Sequence, residues 1–212
     1  GKVDINGNLD VDGGTIKLDG NYPVGTDNVA LGDTALDSVE SGAQYNVAIG
    51  HAAGTALTTG DQNVAVGAFA LDAQTTASSN TALGYAAMST NTDGTYNVGV
   101  GLLALGLNTT GDSNTAVGYA SLDANTTADN NTAVGYESLS ANTTGAQNVA
   151  VGRTALRANT TADNNTAIGD SALNVSTTGS DNTAVGKNSL LSNTTGVDNN
   201  AVGKDALRTN TT

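Results

Sequence analysis

Few side chains in this sequence are equipped for covalent or acid–base chemistry. There is no Cys and only one His, His51. A general base works with an oriented partner, and no Ser, His and Asp set with matching roles emerges around His51. Residues in the equivalent place elsewhere in the chain include Asp33, Ala68, Tyr85, Leu102 and Lys187, the tolerance of a surface position. Asp61, Asp112, Asp129 and Asp163 recur in phase. Carboxylates stacked about 4.8 Å apart could serve Ca²⁺, which takes six to eight oxygen ligands. Ser78, Thr95, Ala146, Ser180 and Val197 occupy the same place in other copies, so turn chemistry is the better account. Tyr85, Tyr119 and Tyr136 also share a position. They are candidate surface contacts able to stack on sugar rings, with exposed decoration as the plainer alternative. The expectation is therefore a protein that is not an enzyme, with no catalytic residue, metal or cofactor.

What positions these residues is a repeat. Asn-x-Ala-x-Gly begins at Asn28, Asn46, Asn63, Asn80, Asn97, Asn114, Asn131, Asn148, Asn165, Asn182 and Asn199, stepping 18 residues once and 17 thereafter. The extra residue falls in 41–45 and leaves the later register intact. With that Asn as position zero, position two is Ala except at Gly99, and position three is always aliphatic, from Leu31 to Val202. Position four is always Gly, position seven Ala or Ser, and position eight Leu except at Gly54 and Met88. Asn-Thr-Thr-Gly or Asn-Thr-Thr-Ala follows, as at Asn108, Asn125 and Asn193.

Such a unit is too short for two helices and turns, and Gly, Asn and Thr are poor helix formers. Positions one to three, closed by Gly, read as one short strand, and positions six to eight as a second. Asn-Thr-Thr-Gly supplies the turn, since Asn and Gly accept left-handed conformations and Asn and Thr bond the local backbone. The expected fold is all-β: a parallel β-solenoid or β-roll of 17-residue coils with two short strands each. Eleven coils stacked at the strand spacing span roughly 50 Å. Asn46, Asn63, Asn80, Asn97, Asn114, Asn131, Asn148, Asn165 and Asn182 then form a ladder of side-chain amides along the axis. The Asn-Thr-Thr asparagines read as ladder residues too. Residues 28–212 are the eleven-coil region. Residues 1–27 instead alternate apolar and polar residues between Gly turns, the pattern of a short-strand junction or capping module.

Composition agrees. Gly (27), Asn (26) and Thr (32) dominate the 212 residues, while aromatics are 3% and Pro, Met, Phe and His occur once each. The dependable apolar groups of a coil are Ala, Val, Ala and Leu, a thin core that predicts association of several chains, with Ala and Gly permitting close approach. Disorder, which low hydrophobicity and a net charge of −13 would otherwise suggest, does not keep aliphatic residues in phase through eleven copies. No Lys or Arg lies between Lys17 and Arg153, which disfavours nucleic acid and anionic membrane surfaces. No apolar run approaches the roughly 18 residues of a spanning helix. The opening Gly1-Lys2-Val3 and an end in mid-pattern at Thr212 read as a segment of a longer chain.

The units running from Asn114-Thr-Ala-Val-Gly-Tyr to Asn125-Thr-Thr-Ala, and their copies, resemble the repetitive shafts of bacteriophage tail fibres, those of marine cyanophages in particular. The segment 7–14 is similar to stretches that precede such shafts. More distantly, Asn46-Val-Ala-Ile-Gly50 is similar in kind to the head repeats of trimeric autotransporter adhesins, whose period is shorter. Both resemblances imply a homotrimeric extracellular β-fibre. The first implies a rigid virion spacer that partners other tail proteins and carries a tip to a host glycan or protein receptor. The second implies a bacterial surface adhesin. Stacked Thr pairs raise an ice-binding solenoid as a third reading.

Overall fold

The computed structural model describes residues 27–211. The module expected over 1–27 therefore lies, apart from Asp27, outside the described residues. The rest is all-β, with no helix among the described residues. Eleven strands of three residues each follow in chain order: β1 Val29–Leu31, β2 Val47–Ile49, β3 Val64–Val66, β4 Thr81–Leu83, β5 Val98–Val100, β6 Thr115–Val117, β7 Thr132–Val134, β8 Val149–Val151, β9 Thr166–Ile168, β10 Thr183–Val185 and β11 Asn200–Val202. They form one parallel sheet in sequential order, and equal repeat positions pair, as in Thr115↔Thr132, Ala116↔Ala133 and Val117↔Val134. This is the β-solenoid that the period requires.

The coil carries one strand, not two. Positions six and eight both have positive φ, for example 45° at Ala120 and 52° at Leu122, so 120–122 turns instead of extending. The amides of this turn still bond neighbouring coils. Ala120 N–H donates backward to Leu102 C=O at 3.0 Å, and Leu122 N–H donates forward to Ser138 C=O at 3.0 Å. Ten coils place a Leu or Met in this left-handed conformation, with φ between 47° and 54°. That costs about 1–2 kcal/mol for a non-Gly residue. Full burial of a Leu contributes about 1.5–3 kcal/mol, enough to offset it, and the position-eight leucines Leu71, Leu105, Leu122, Leu139, Leu156, Leu173 and Leu190 are at most 1% exposed. Gly54, the exception in sequence, adopts φ 57° at the same place.

Only part of the expected apolar set points inward. Ala at position two, Ala or Ser at seven and Leu at eight form the core, with Ala116, Ser121 and Leu122 all 0% exposed. The aliphatic residue at position three faces out: Leu31, Ile49, Leu83 and Ile168 are 40–46% exposed. Strand alternation demands this once Ala is inside, and an interior this narrow accepts a methyl there. The position-two alanines thus fill the interior of the coil.

Gly at position four closes the strand. At Gly118 φ is 136°, and a Cβ built there would lie 2.4 Å from the Gly135 carbonyl oxygen of the next coil. Both the conformation and the approach of adjacent backbones exclude a side chain. Gly118→Ala is therefore expected to lower unfolding free energy by more than about 2 kcal/mol, read from the shift of the chemical denaturation midpoint against the parent chain.

Candidate functional site

Two rows of buried asparagine run along the interior. The first holds the position-zero residues, with Asn46 and Asn63 at 1–2% exposure and Asn80, Asn97, Asn114, Asn131, Asn148, Asn165 and Asn182 at 0%. Each Oδ1 accepts the backbone N–H of the Asn in the following coil, as Asn114 Oδ1 does from Asn131 N at 2.9 Å. The second row is Asn91, Asn108, Asn125, Asn142, Asn159 and Asn193, all 0% exposed. Here the side chains bond one another: Asn125 Nδ2 donates to Asn108 Oδ1 at 2.8 Å, and Asn108 Nδ2 donates to Asn91 Oδ1 at 2.8 Å.

In most coils the rows meet at one atom, a convergence that spacing alone did not reveal. The Ala128 carbonyl oxygen accepts from Asn114 Nδ2 at 2.8 Å and from Asn125 Nδ2 at 3.1 Å. Gly111 accepts likewise from Asn97 and Asn108, and Gly145 from Asn131 and Asn142. Position fourteen is thus the clamp that ties the end of the coil to its beginning. Gln74 replaces Asn in the second row without breaking it: its Nε2 donates to Ala77 C=O at 2.8 Å, while its Oε1 accepts from Asn80 and Asn91. Val39 and Leu57 take the same position in the first two coils and are buried apolar residues there.

Polar residues on the surface mostly serve the same stacking. Asp61, Asp112, Asp129 and Asp163 each accept the backbone N–H of position fifteen in the preceding coil at 2.6–2.7 Å. Ser78 and Ser180 do so through Oγ. These bonds run between coils, not within the turn. Among the described residues no group of three or more His, Cys, Asp or Glu is placed to hold a metal. In the Thr pairs the first hydroxyl donates to the next coil, for example Thr109 Oγ1 to Thr126 C=O at 2.9 Å. The second Thr is exposed, and Asp93 interrupts that row. Half of the array proposed for ordering water is therefore committed to the backbone.

The aromatic residues divide into two clusters. Tyr119 and Tyr136 stack with ring centroids 5.1 Å apart and planes at 13°. Tyr85 stands apart from them, edge-on to Phe69 at 5.8 Å, and Phe69 meets His51 edge-on at 5.2 Å. His51 is exposed, with Nδ1 3.7 Å from Asp33. Beside the stacked pair, Arg157 Nε is 3.1 Å from Glu137 Oε2, and a hydrogen bond to Glu137 pushes the Tyr136 hydroxyl pKa up.

Two defects in the polar framework give direct tests. Ser176 holds a second-row position and is too short to bridge, so its Oγ and Asn159 Oδ1 are buried without hydrogen-bond partners. Ser176→Asn should restore the row and raise unfolding free energy by about 1–2 kcal/mol, seen as a higher urea midpoint at unchanged slope. Asp72 has a buried, unpartnered Oδ1, and burial raises its carboxyl pKa, partly opposed by a backbone hydrogen bond. A raised carboxyl pKa means the folded chain binds the proton more tightly than the unfolded chain, so the ionised form costs stability at neutral pH. Asp72→Asn is expected to raise the melting temperature at pH 7, with the difference shrinking as acid protonates the parent carboxyl. No protein-family model, curated protein or solved structure matches this chain.

Proposed function

We propose that this chain is a non-enzymatic structural segment of a phage tail fibre, a rigid spacer that works as a homotrimer outside the cell and carries a receptor-binding tip. The observation that carries the reading is the outer face of the sheet. Position three is aliphatic in all eleven strands, and position one is Val, Thr or Asn, so no charged residue stands on this face in a chain of net charge −13. Val202 is 75% exposed and Val29 46%. Parallel sheets are normally covered on both sides, and a soluble monomer has no use for so continuous an apolar row. The face is about 50 Å long and about 10 Å wide. Pairing two such faces buries on the order of 1,000 Å², the lower range of specific interfaces.

Length and stiffness follow from the same arrangement. Each added coil extends the reach by about 4.8 Å, and every coil is bonded to both neighbours through backbone and buried side chains. A spacer needs these properties and no pocket. Resemblance of the repeats to tail-fibre shafts supplies the virion setting and the number three.

Sedimentation of the purified chain tests the association. The expected result is a folded species of three times the chain mass. Val117→Lys, Val134→Lys and Val151→Lys together should leave the β-sheet circular dichroism intact and shift the mass to that of one chain. A parent chain that sediments as a folded monomer would contradict the proposal.

A further inference from the structure

The second asparagine row is interrupted in one coil, and the interruption strands more than one polar group. At Asn108, Asn125, Asn142 and Asn159 the side-chain Nδ2 makes two bonds, one to the Oδ1 of the preceding coil and one to the position-fourteen carbonyl of its own coil. The next coil has Ser176 in that row. Its hydroxyl reaches neither acceptor, so Ser176 Oγ and Asn159 Oδ1 are both left over. Gly179 is the position-fourteen residue of this coil, and its carbonyl loses its other donor as well. Asn165 Nδ2 turns instead to Asn148 Oδ1 and Asp163 C=O, both at 3.2 Å. Among the described residues the buried Gly179 C=O accepts no hydrogen bond.

We propose that this point of the interior is a binding site for one structural water. The neighbouring coils show what the site requires, a neutral group that donates two hydrogen bonds where an amide nitrogen otherwise stands. Water donates to Asn159 Oδ1 and Gly179 C=O, and it accepts from Ser176 Oγ. Three bonds are typical of a buried water. Space agrees, because Ser has two fewer side-chain heavy atoms than Asn, a difference on the scale of the ~30 Å³ that one water occupies. An ammonium or alkali ion fits less well. Three neutral oxygens and no carboxylate would leave its charge uncompensated in a buried place, since Asn159 and Ser176 are 0% exposed.

The irregular coil at the other end of the solenoid makes a contrast. Gly54 stands where other coils have Leu or Met, and the space beside it, about 10 Å³, is bordered by Leu36, Leu57 and Leu71. Asn46, Asn63 and Gln74 also border it, and their side-chain amides already donate to Gly60, Ala77 and Ala77 carbonyls. A water there would find no partner, whereas the groups around Ser176 have no other.

Oxygen-17 relaxation dispersion of water, which counts molecules held long inside a protein, tests the proposal on the full chain. Ser176→Asn supplies the amide and displaces the water, so this variant should hold one long-lived molecule fewer than the parent. Ser176→Val fills the place without a donor, and the coil accepts it, since Val39 is buried at the same position. It should lose the same molecule, and its urea midpoint should fall below that of the parent. At a dry site the acceptors would be unpaired already, and Val would raise the midpoint by removing a lone hydroxyl. A high-resolution crystal structure of the parent should show density within hydrogen-bonding distance of Asn159 Oδ1, Gly179 C=O and Ser176 Oγ. Equal counts of long-lived water in parent and Ser176→Asn, a higher midpoint for Ser176→Val, or density that depends on ammonium or alkali salt would each overturn the proposal.

Discussion

At position fourteen of most coils a single carbonyl oxygen accepts two buried asparagine amides, one from the start of the coil and one from three residues earlier. Leaving a buried polar group unpaired costs about 1–3 kcal/mol, so two asparagines inside a narrow coil are tolerable only if nearly all of their bonds are made. One coil cannot make them. Asn114 Nδ2 is satisfied within its coil, but its Oδ1 needs the N–H of Asn131, and Asn125 reaches back to Asn108. Stacking is thus written into the chemistry of the interior, and each repeat is stable only beside its neighbours.

The other fixed positions follow from that interior. Asparagine amides leave little room for hydrocarbon, so the strand contributes only a methyl, and one Leu per coil fills the remaining space. To place that Leu inward the backbone turns through alternating left-handed residues, a conformation paid in torsional energy and recovered by burial. Adjacent coils approach so closely at the strand end that Gly alone fits. The side chains at positions five, six and nine carry none of these duties. They vary freely, and the aromatic pair and the ion pairs are found on them.

Much of this was legible in the sequence. The 17-residue period gave the parallel solenoid, and the Asn at position zero gave the buried ladder, because identical polar residues at a fixed period have few other uses. Two features were misjudged for physical reasons. Position three looked like core because Val, Ile and Leu are larger than Ala, although strand alternation places neighbours on opposite sides and the less variable Ala was the better marker of a confined interior. Positions six to eight looked like a strand, although Gly54 in place of Leu pointed to a left-handed backbone. The meeting of both Asn rows on one carbonyl, and the grouping of Tyr119 with Tyr136 but not Tyr85, depend on the path of the turn, which the residue types do not specify.

Exchange of the asparagine side-chain amide protons, followed by nuclear magnetic resonance in deuterated water, tests most directly whether buried amide rows hold the coils together. The Nδ2 protons of Asn114, Asn125, Asn131 and Asn142 are expected to exchange as slowly as the backbone amides of the strands, and far more slowly than those of the exposed Asn130 and Asn164. Exchange of the four interior amides at the rate of the exposed ones would contradict the account.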